Sequence, residues 1–161
     1  PKSLLRLPEA SSPWSAFTQG TYRRVLGETN PAVAAASARR LILCSGKVYF
    51  DLVAAREKAK LNDIAIARLE QTYPLPAPEL QALLKAHSSV KEVTWVQEEP
   101  KNGGSWRFLH EPLAALVAEH PKKPALTYVG RPESASPATG YMNAHKYEQN
   151  LLVEQALAKG S

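Results

Sequence analysis

The sequence predicts an α/β domain of three layers, a mostly parallel sheet with helices on both faces. Short runs of apolar and β-branched residues alternate four times with longer stretches of helical spacing, the pattern of repeated strand-helix units. The first of these runs, Leu41-Ile42-Leu43-Cys44, is continuous instead of alternating, as suits a strand covered on both faces. A length of 161 residues supports one domain with a substantial core and is short for two.

Residues 1–38 show no sustained periodicity and carry turn formers at Pro8, Ser11, Ser12, Pro13, Gly20, Gly27, Asn30 and Pro31. They read as an interdomain connector. Trp14 with Phe17, and Tyr22 with Val25 and Leu26, predict that it lies against a surface, and residues 32–38 read as a flexible or weakly helical tether. The domain proper is expected over 39–161. After the Leu41–Cys44 strand, Ser45-Gly46 makes a turn. Lys47 to Lys60 is helical, with Val48, Leu52, Val53, Ala55 and Ala59 on its apolar positions. Asn62-Asp63 breaks that helix, and Ile64 to Leu69 is the second strand.

Tyr73 to Pro78 is a stiff connection, because each proline fixes φ and removes a donor. Pro78 suits the first turn of a helix bearing Leu80, Leu83 and Leu84. The third strand is expected from Val90 to Gln97, stopping at Glu98, Glu99 and Pro100 before a turn built on Asn102, Gly103 and Gly104. Helical spacing returns from Trp106 to Glu119, with an interruption or a start near Pro112, until His120-Pro121. Ala125 to Val129 is the fourth strand, and Asn143 to Lys159 the last helix, presenting Leu151, Leu152, Ala156 and Leu157.

Composition narrows the partners. Twenty lysines and arginines against 15 acids give a net charge of +5, yet the adjacent basic pairs, Arg23-Arg24, Arg39-Arg40 and Lys122-Lys123, are separated by acids. No clustered basic face for nucleic acid results. No run approaches the ~20 apolar residues of a membrane span. The single cysteine, Cys44, cannot close an internal disulfide, which fits a reducing compartment, and its apolar neighbours predict a packing role. The first residue is Pro1 and the sole methionine is Met142, which reads as a piece of something longer.

In open α/β sheets, binding concentrates at the carboxyl ends of the strands, so the candidate residues are those in the loops there. Ser45-Gly46-Lys47 follows a strand and precedes a helix, where free N–H groups favour anions. The nucleotide-binding motif fails, however, since no glycine stands at the right upstream spacing and Val48 occupies the position of its Ser or Thr. Glu98 and Glu99 are a candidate acid-base pair, although neighbours on a strand point apart, which favours capping or ion pairing. Arg131 offers bidentate contacts to a carboxylate or anion, against solvent exposure or an interface salt bridge. His87, His110, His120 and His145 share no metal-ligand spacing, so no metal site is assigned. No nucleophile elbow or dinucleotide fingerprint is present.

Several stretches, in order, resemble one family: Pro1 to Arg6; Cys44 to Tyr49; Arg68-Leu69-Glu70-Gln71 to Tyr73-Pro74; Gln97-Glu98-Glu99-Pro100 with Trp106; and Gly130-Arg131-Pro132-x-Ser134-Ala135-Ser136-Pro137-Ala138-x-Gly140. Together they resemble the C-terminal domain of the thiamine-dependent 2-oxoglutarate dehydrogenases, bacterial in type. Residues 30–38 match least, and Asn102-Gly103-Gly104-Ser105 departs from the family's Asn-Gln-Gly-Ala pattern.

The resemblance implies a transketolase-like third domain in a homodimeric enzyme of the tricarboxylic acid cycle. The parent would use thiamine diphosphate and magnesium to decarboxylate 2-oxoglutarate oxidatively and pass succinyl to the lipoyl groups of its dihydrolipoyl succinyltransferase partner. The family's cofactor motif and substrate-binding histidines have no counterpart here. No catalytic, cofactor or metal residue is therefore carried over, and the isolated chain is expected to be inactive. Ser45, Gly46, Lys47, Glu98, Glu99, Pro100, Trp106 and Arg131 are the expected interface residues toward neighbouring domains or subunits. Arg6 and Arg131 are the candidate effector contacts. The implied location is the bacterial cytoplasm, or the mitochondrial matrix for a eukaryotic source. The alternatives are a free-standing regulatory or binding module of the same fold and a relative specific for 2-oxoadipate.

Overall fold

The computed structural model describes residues 2–158. Five strands make one sheet: Val25–Leu26 (β1), Arg40–Cys44 (β2), Ile64–Leu69 (β3), Glu92–Pro100 (β4) and Ala125–Arg131 (β5). Their order is β1-β3-β2-β4-β5, parallel except for β1, which runs antiparallel to β3. The α-helices are Ser15–Thr18 (α1), Val48–Lys58 (α2), Ala77–Ala86 (α3), Trp106–Ala118 (α4) and Met142–Leu157 (α5).

The two-residue period of β2 divides the core. Leu41 and Leu43 point to one face, where Leu80 and Leu84 of α3 and Trp106, Leu109 and Leu113 of α4 cover them. Ile42 and Cys44 point to the other, under Val48 and Leu52 of α2 and Leu152, Val153 and Ala156 of α5. Both sets are buried, which is why the run is apolar throughout and not alternating. Each fully covered Leu or Ile contributes about 1.5–3 kcal/mol of transfer free energy.

Two strands run longer than their local composition predicts. β4 does not stop at Glu98 but continues through Pro100, because β5 also continues, through Gly130 to Arg131, and Pro100 pairs with Arg131 across an irregularity that starts after Val96. Proline is tolerated there, at the last residue of the strand and beside the bulge. Pro112 lies inside α4, which starts at Trp106 and passes through it. Pro78 sits in the first turn of α3, as its fixed φ favours. The expected end of the last helix at Lys159, and positions 1, 160 and 161 of the expected segments, lie outside the described residues.

The connector region divides in two. From Arg24 the chain is tied to the sheet: β1 pairs with Arg68 and Leu69, and Val33 and Ala38 are buried. The Glu28 carboxylate pairs with Arg56 and accepts the Ile66 N–H at 2.8 Å. Residues 11–23 are exposed throughout. At the amino end of the sheet, buried Arg40 donates to Glu92 at 2.8 Å and to the carbonyls of Ala156 and Ala158 at 2.7 and 2.9 Å, so one guanidinium joins β4 to the end of α5. Thr127 and Thr94 hydroxyls also donate to Glu92. Burial opposes ionisation of Glu92, but the hydrogen bonds from Thr127 and Arg40, the charge of Arg40 and the Thr94 hydroxyl outweigh it and hold the carboxyl below its ordinary value.

Candidate functional site

The chain leaves β2 for β3 on one side and reaches β4 and β5 on the other, so the strand order reverses between β2 and β4. Helices α2 and α4, which follow these strands, diverge to opposite faces, so the carboxyl ends here are the topological switch point, the place where α/β sheets bind ligands and partners. Ser45-Gly46-Lys47 and Gln97 to Pro100 form its two sides. Gly46 makes the turn with φ +73°, a conformation that glycine adopts without steric cost.

Lys47 bridges the two sides, 2.5 Å from Asp51 on the first turn of α2 and 3.8 Å from Glu98 on β4. Glu98 and Glu99 diverge, Glu98 toward Lys47 and Glu99 into solvent, so they do not share a proton. At the neighbouring strand end, Arg68 pairs with Glu70 and lies over the rings of Tyr49 and Phe50, at 4.6 and 5.2 Å from their centroids. Arg131 is neither exposed nor outward-facing. Its Nε lies 3.1 Å from Glu148 and its Nη2 2.9 Å from Nδ1 of His145, both on α5. The three cations of this rim are therefore each engaged by an acid of the same chain.

Gln97 is the residue that spacing does not single out. Its buried amide oxygen accepts from the Trp95 indole and from the backbone N–H of Trp106, both at 3.0 Å. Its amide nitrogen faces the carbonyls of Glu99, Pro100 and Gly103 at 3.3, 3.1 and 3.0 Å. One side chain thus holds the loop after β4 and satisfies a free N–H at the start of α4. Gly104, at φ +64°, passes so close that a Cβ would lie 2.9 Å from the Gln97 amide. The signal in the sequence is a polar residue at an inward position of an apolar strand. Asn102 carries the order outward, exchanging two 3.0 Å bonds with the backbone of Ser134 and so joining this loop to the one after β5.

Trp106 faces inward, against Tyr128 with ring centroids 5.1 Å apart, and Pro100 is buried. Burial, moderated by Gln97 and reinforced by the Glu99 charge, pushes the Tyr128 phenol up to about 12. Burial likewise pushes the Cys44 thiol far above its ordinary value, so it is protonated and carries no nucleophilic thiolate. His87 bonds the Leu83 carbonyl and His120 accepts the Lys122 N–H, both at the far end of the domain from the rim. Arg6 is exposed on the first turn of the chain. Among the described residues, no three His, Cys, Asp or Glu side chains converge to hold a metal, and no helix is long and apolar enough to cross a membrane.

Comparison with known proteins decides the family. Residues 11–157 match the family model described as 2-oxoglutarate dehydrogenase C-terminal. The chain belongs to this family. Among curated relatives, it is 42% identical over 159 residues to the 2-oxoglutarate dehydrogenase E1 component of Cupriavidus necator, covering 99% of this chain and 16% of that protein. It is 43% identical over 157 residues to the oxoglutarate dehydrogenase of Buchnera aphidicola, covering 98% of this chain and 17% of that protein. The Haemophilus influenzae E1 component is 41% identical over 158 residues. The chain thus spans about one sixth of the length of these relatives. As a 2-oxoglutarate dehydrogenase C-terminal domain it has the α/β architecture described above, and the stretches around Gln97 and Arg131 lie inside the matched region.

Proposed function

We propose that this chain is the C-terminal assembly domain of a bacterial 2-oxoglutarate dehydrogenase E1 polypeptide. That polypeptide decarboxylates 2-oxoglutarate oxidatively and hands succinyl to the lipoyl groups of a dihydrolipoyl succinyltransferase, as a homodimer in the cytoplasm. The observation that carries the reading is the 42% identity maintained over 159 residues with an E1 component.

The reaction's cofactors, thiamine diphosphate and magnesium, supply the carbanion chemistry of decarboxylation when bound. The described residues of this chain do not fit them: among these residues no acidic cluster converges, and Lys47, Arg68 and Arg131 are neutralised by their own acids. The cofactors therefore belong to the remainder of the polypeptide. This domain's part is to present a fixed rim, Ser45, Gly46, Lys47, Glu98, Glu99 and the loop that Arg131 anchors, to the neighbouring domain or subunit. The engagement of Arg131 with Glu148 and His145 supports this role over that of an effector receptor, since an anion would have to displace both.

The test uses the complete polypeptide supplied with thiamine diphosphate and magnesium, assayed for reduction of an artificial electron acceptor. Turnover with 2-oxoglutarate is expected. No turnover, or preference for 2-oxoadipate, rejects the reading. Glu99→Lys in the same protein reverses an exposed rim charge and is expected to weaken dimerisation in sedimentation and lower turnover; unchanged behaviour in both would remove the acidic loop from the contact.

A further inference from the structure

Attachment to the domain changes abruptly between Arg23 and Arg24. The carbonyl of Arg24 accepts the N–H groups of Glu70 and Gln71, its guanidinium donates to Glu79 at 2.7 Å, and the next residue enters the sheet. Upstream, the backbone bonds are local: Ala16 to Pro13, Phe17 to Trp14 and Gln19 to Ser15. Among the described residues one hydrogen bond from this stretch reaches the domain, from the Tyr22 hydroxyl to the Glu70 carbonyl.

This loosely held stretch carries large apolar side chains: Leu5 is 87% exposed, Trp14 81%, Phe17 74% and Tyr22 68%. By contrast, Trp95 and Trp106 are buried. Trp14 and Phe17 sit with ring centroids 6.5 Å apart, a single apolar prong directed away from the core. Lys2, Arg6 and Arg23 outnumber Glu9 around it, and all four are exposed.

We propose that residues 2–23 form a docking arm whose Trp14-Phe17 prong inserts into an apolar pocket edged by carboxylates on the preceding part of the same polypeptide. This rests on the reading of the chain as the C-terminal sixth of an E1 polypeptide. On that reading the preceding part of the polypeptide joins through this arm, and covalent attachment gives a surface on it a far higher effective concentration than any separate molecule has. Clustered aromatics of this kind mark contact sites, and the basic flanks set the complementary charge.

In the complete polypeptide, Phe17→p-benzoylphenylalanine followed by irradiation is expected to cross-link within one polypeptide, at unchanged mass on a denaturing gel, to a peptide outside residues 1–161. A doubled mass, a cross-link to residues 24–158, or no cross-link overturns the proposal. As a second measurement, Trp14→Ser with Phe17→Ser is expected to make trypsin cleave after Arg23 about tenfold faster than in the parent, because an undocked arm opens freely; equal rates overturn it. Turnover of 2-oxoglutarate by the parent reads the functional proposal separately. Turnover without the cross-link sinks the arm alone, and the cross-link without turnover sinks the function alone.

Discussion

Gln97 lies in β4 on the face shared with Trp95, and its amide is the one group that touches the strand, the following loop and the first turn of α4 together. Gln97→Leu keeps the volume but strands two buried N–H donors and the carbonyls of the loop. At about 1–3 kcal/mol for each unsatisfied group, the two donors alone are expected to cost about 2–6 kcal/mol by denaturant titration, with α4 amides exchanging faster. Gln97→Glu separates hydrogen bonding from packing. A carboxylate facing three carbonyls is disfavoured, so its folded value is raised, its stabilisation is complete below the unfolded value and is lost as pH rises. This variant is expected to be more stable at pH 4 than at pH 7 relative to the parent, and the opposite trend would deny the carbonyl contacts. Gly130 makes a similar case in the backbone. A Cβ there would stand 2.7 Å from the Tyr128 ring and 2.9 Å from the Gln97 carbonyl, whereas one at Gly140 meets nothing within 4 Å. Gly130→Ala is expected to cost about 1–3 kcal/mol and Gly140→Ala less than about 0.5 kcal/mol, compared by thermal melts.

Two buried ionic contacts fasten the elements to one another, and both answer to acid or to truncation of one partner. Glu92 is held below its ordinary value by Thr127, Arg40 and Thr94 against the cost of burial. A depressed folded value contributes stability above the unfolded value, about 4.3, and loses it as pH falls through the folded one. Glu92→Gln is therefore expected to flatten the acid side of the stability profile below about pH 4.3 and to release the end of α5 that Arg40 caps. Glu28→Ala leaves Arg56 buried without its acid and is expected to cost about 3–5 kcal/mol, measured by denaturant titration. Neither clamp is legible in the sequence, because Arg40 and Glu92, or Glu28 and Arg56, are brought together only by tertiary pairing. The same reason hides the ends of β4 and β5: Glu98, Glu99 and Pro100 look like a terminator, and only the pairing of Pro100 with Arg131 makes them strand. β2 and β3 are legible because burial on both faces demands unbroken apolar runs, and that demand is local.

At the scale of the molecule, the alternation of runs gives the layers and the parallel sheet, while the contribution of residues 24–38 to them is invisible in composition. A two-residue strand has no periodicity to display, and Val25-Leu26 is a strand only because Arg68 and Leu69 lie beside it. The segment nonetheless covers the β3 edge, supplies the only acid paired with Arg56 among the described residues, and buries Val33 and Ala38 in the core. The unit that folds is accordingly expected to begin at Arg24. A chain starting at residue 24 should melt cooperatively within a few degrees of the full chain, since what it lacks is the exposed arm and the Tyr22 hydrogen bond. A chain starting at residue 39 should lose at least the cost of an unpaired buried guanidinium, about 3–5 kcal/mol, which is a large part of a domain's ordinary stability of about 5–15 kcal/mol. It should melt broadly or not fold, and its bare β3 edge should drive self-association visible in sedimentation. Equal melts for the chains starting at 24 and 39 would place the boundary at the second site and make residues 24–38 a detachable connector. An early melt for both would instead mean that the arm, exposed as it is, contributes to the fold.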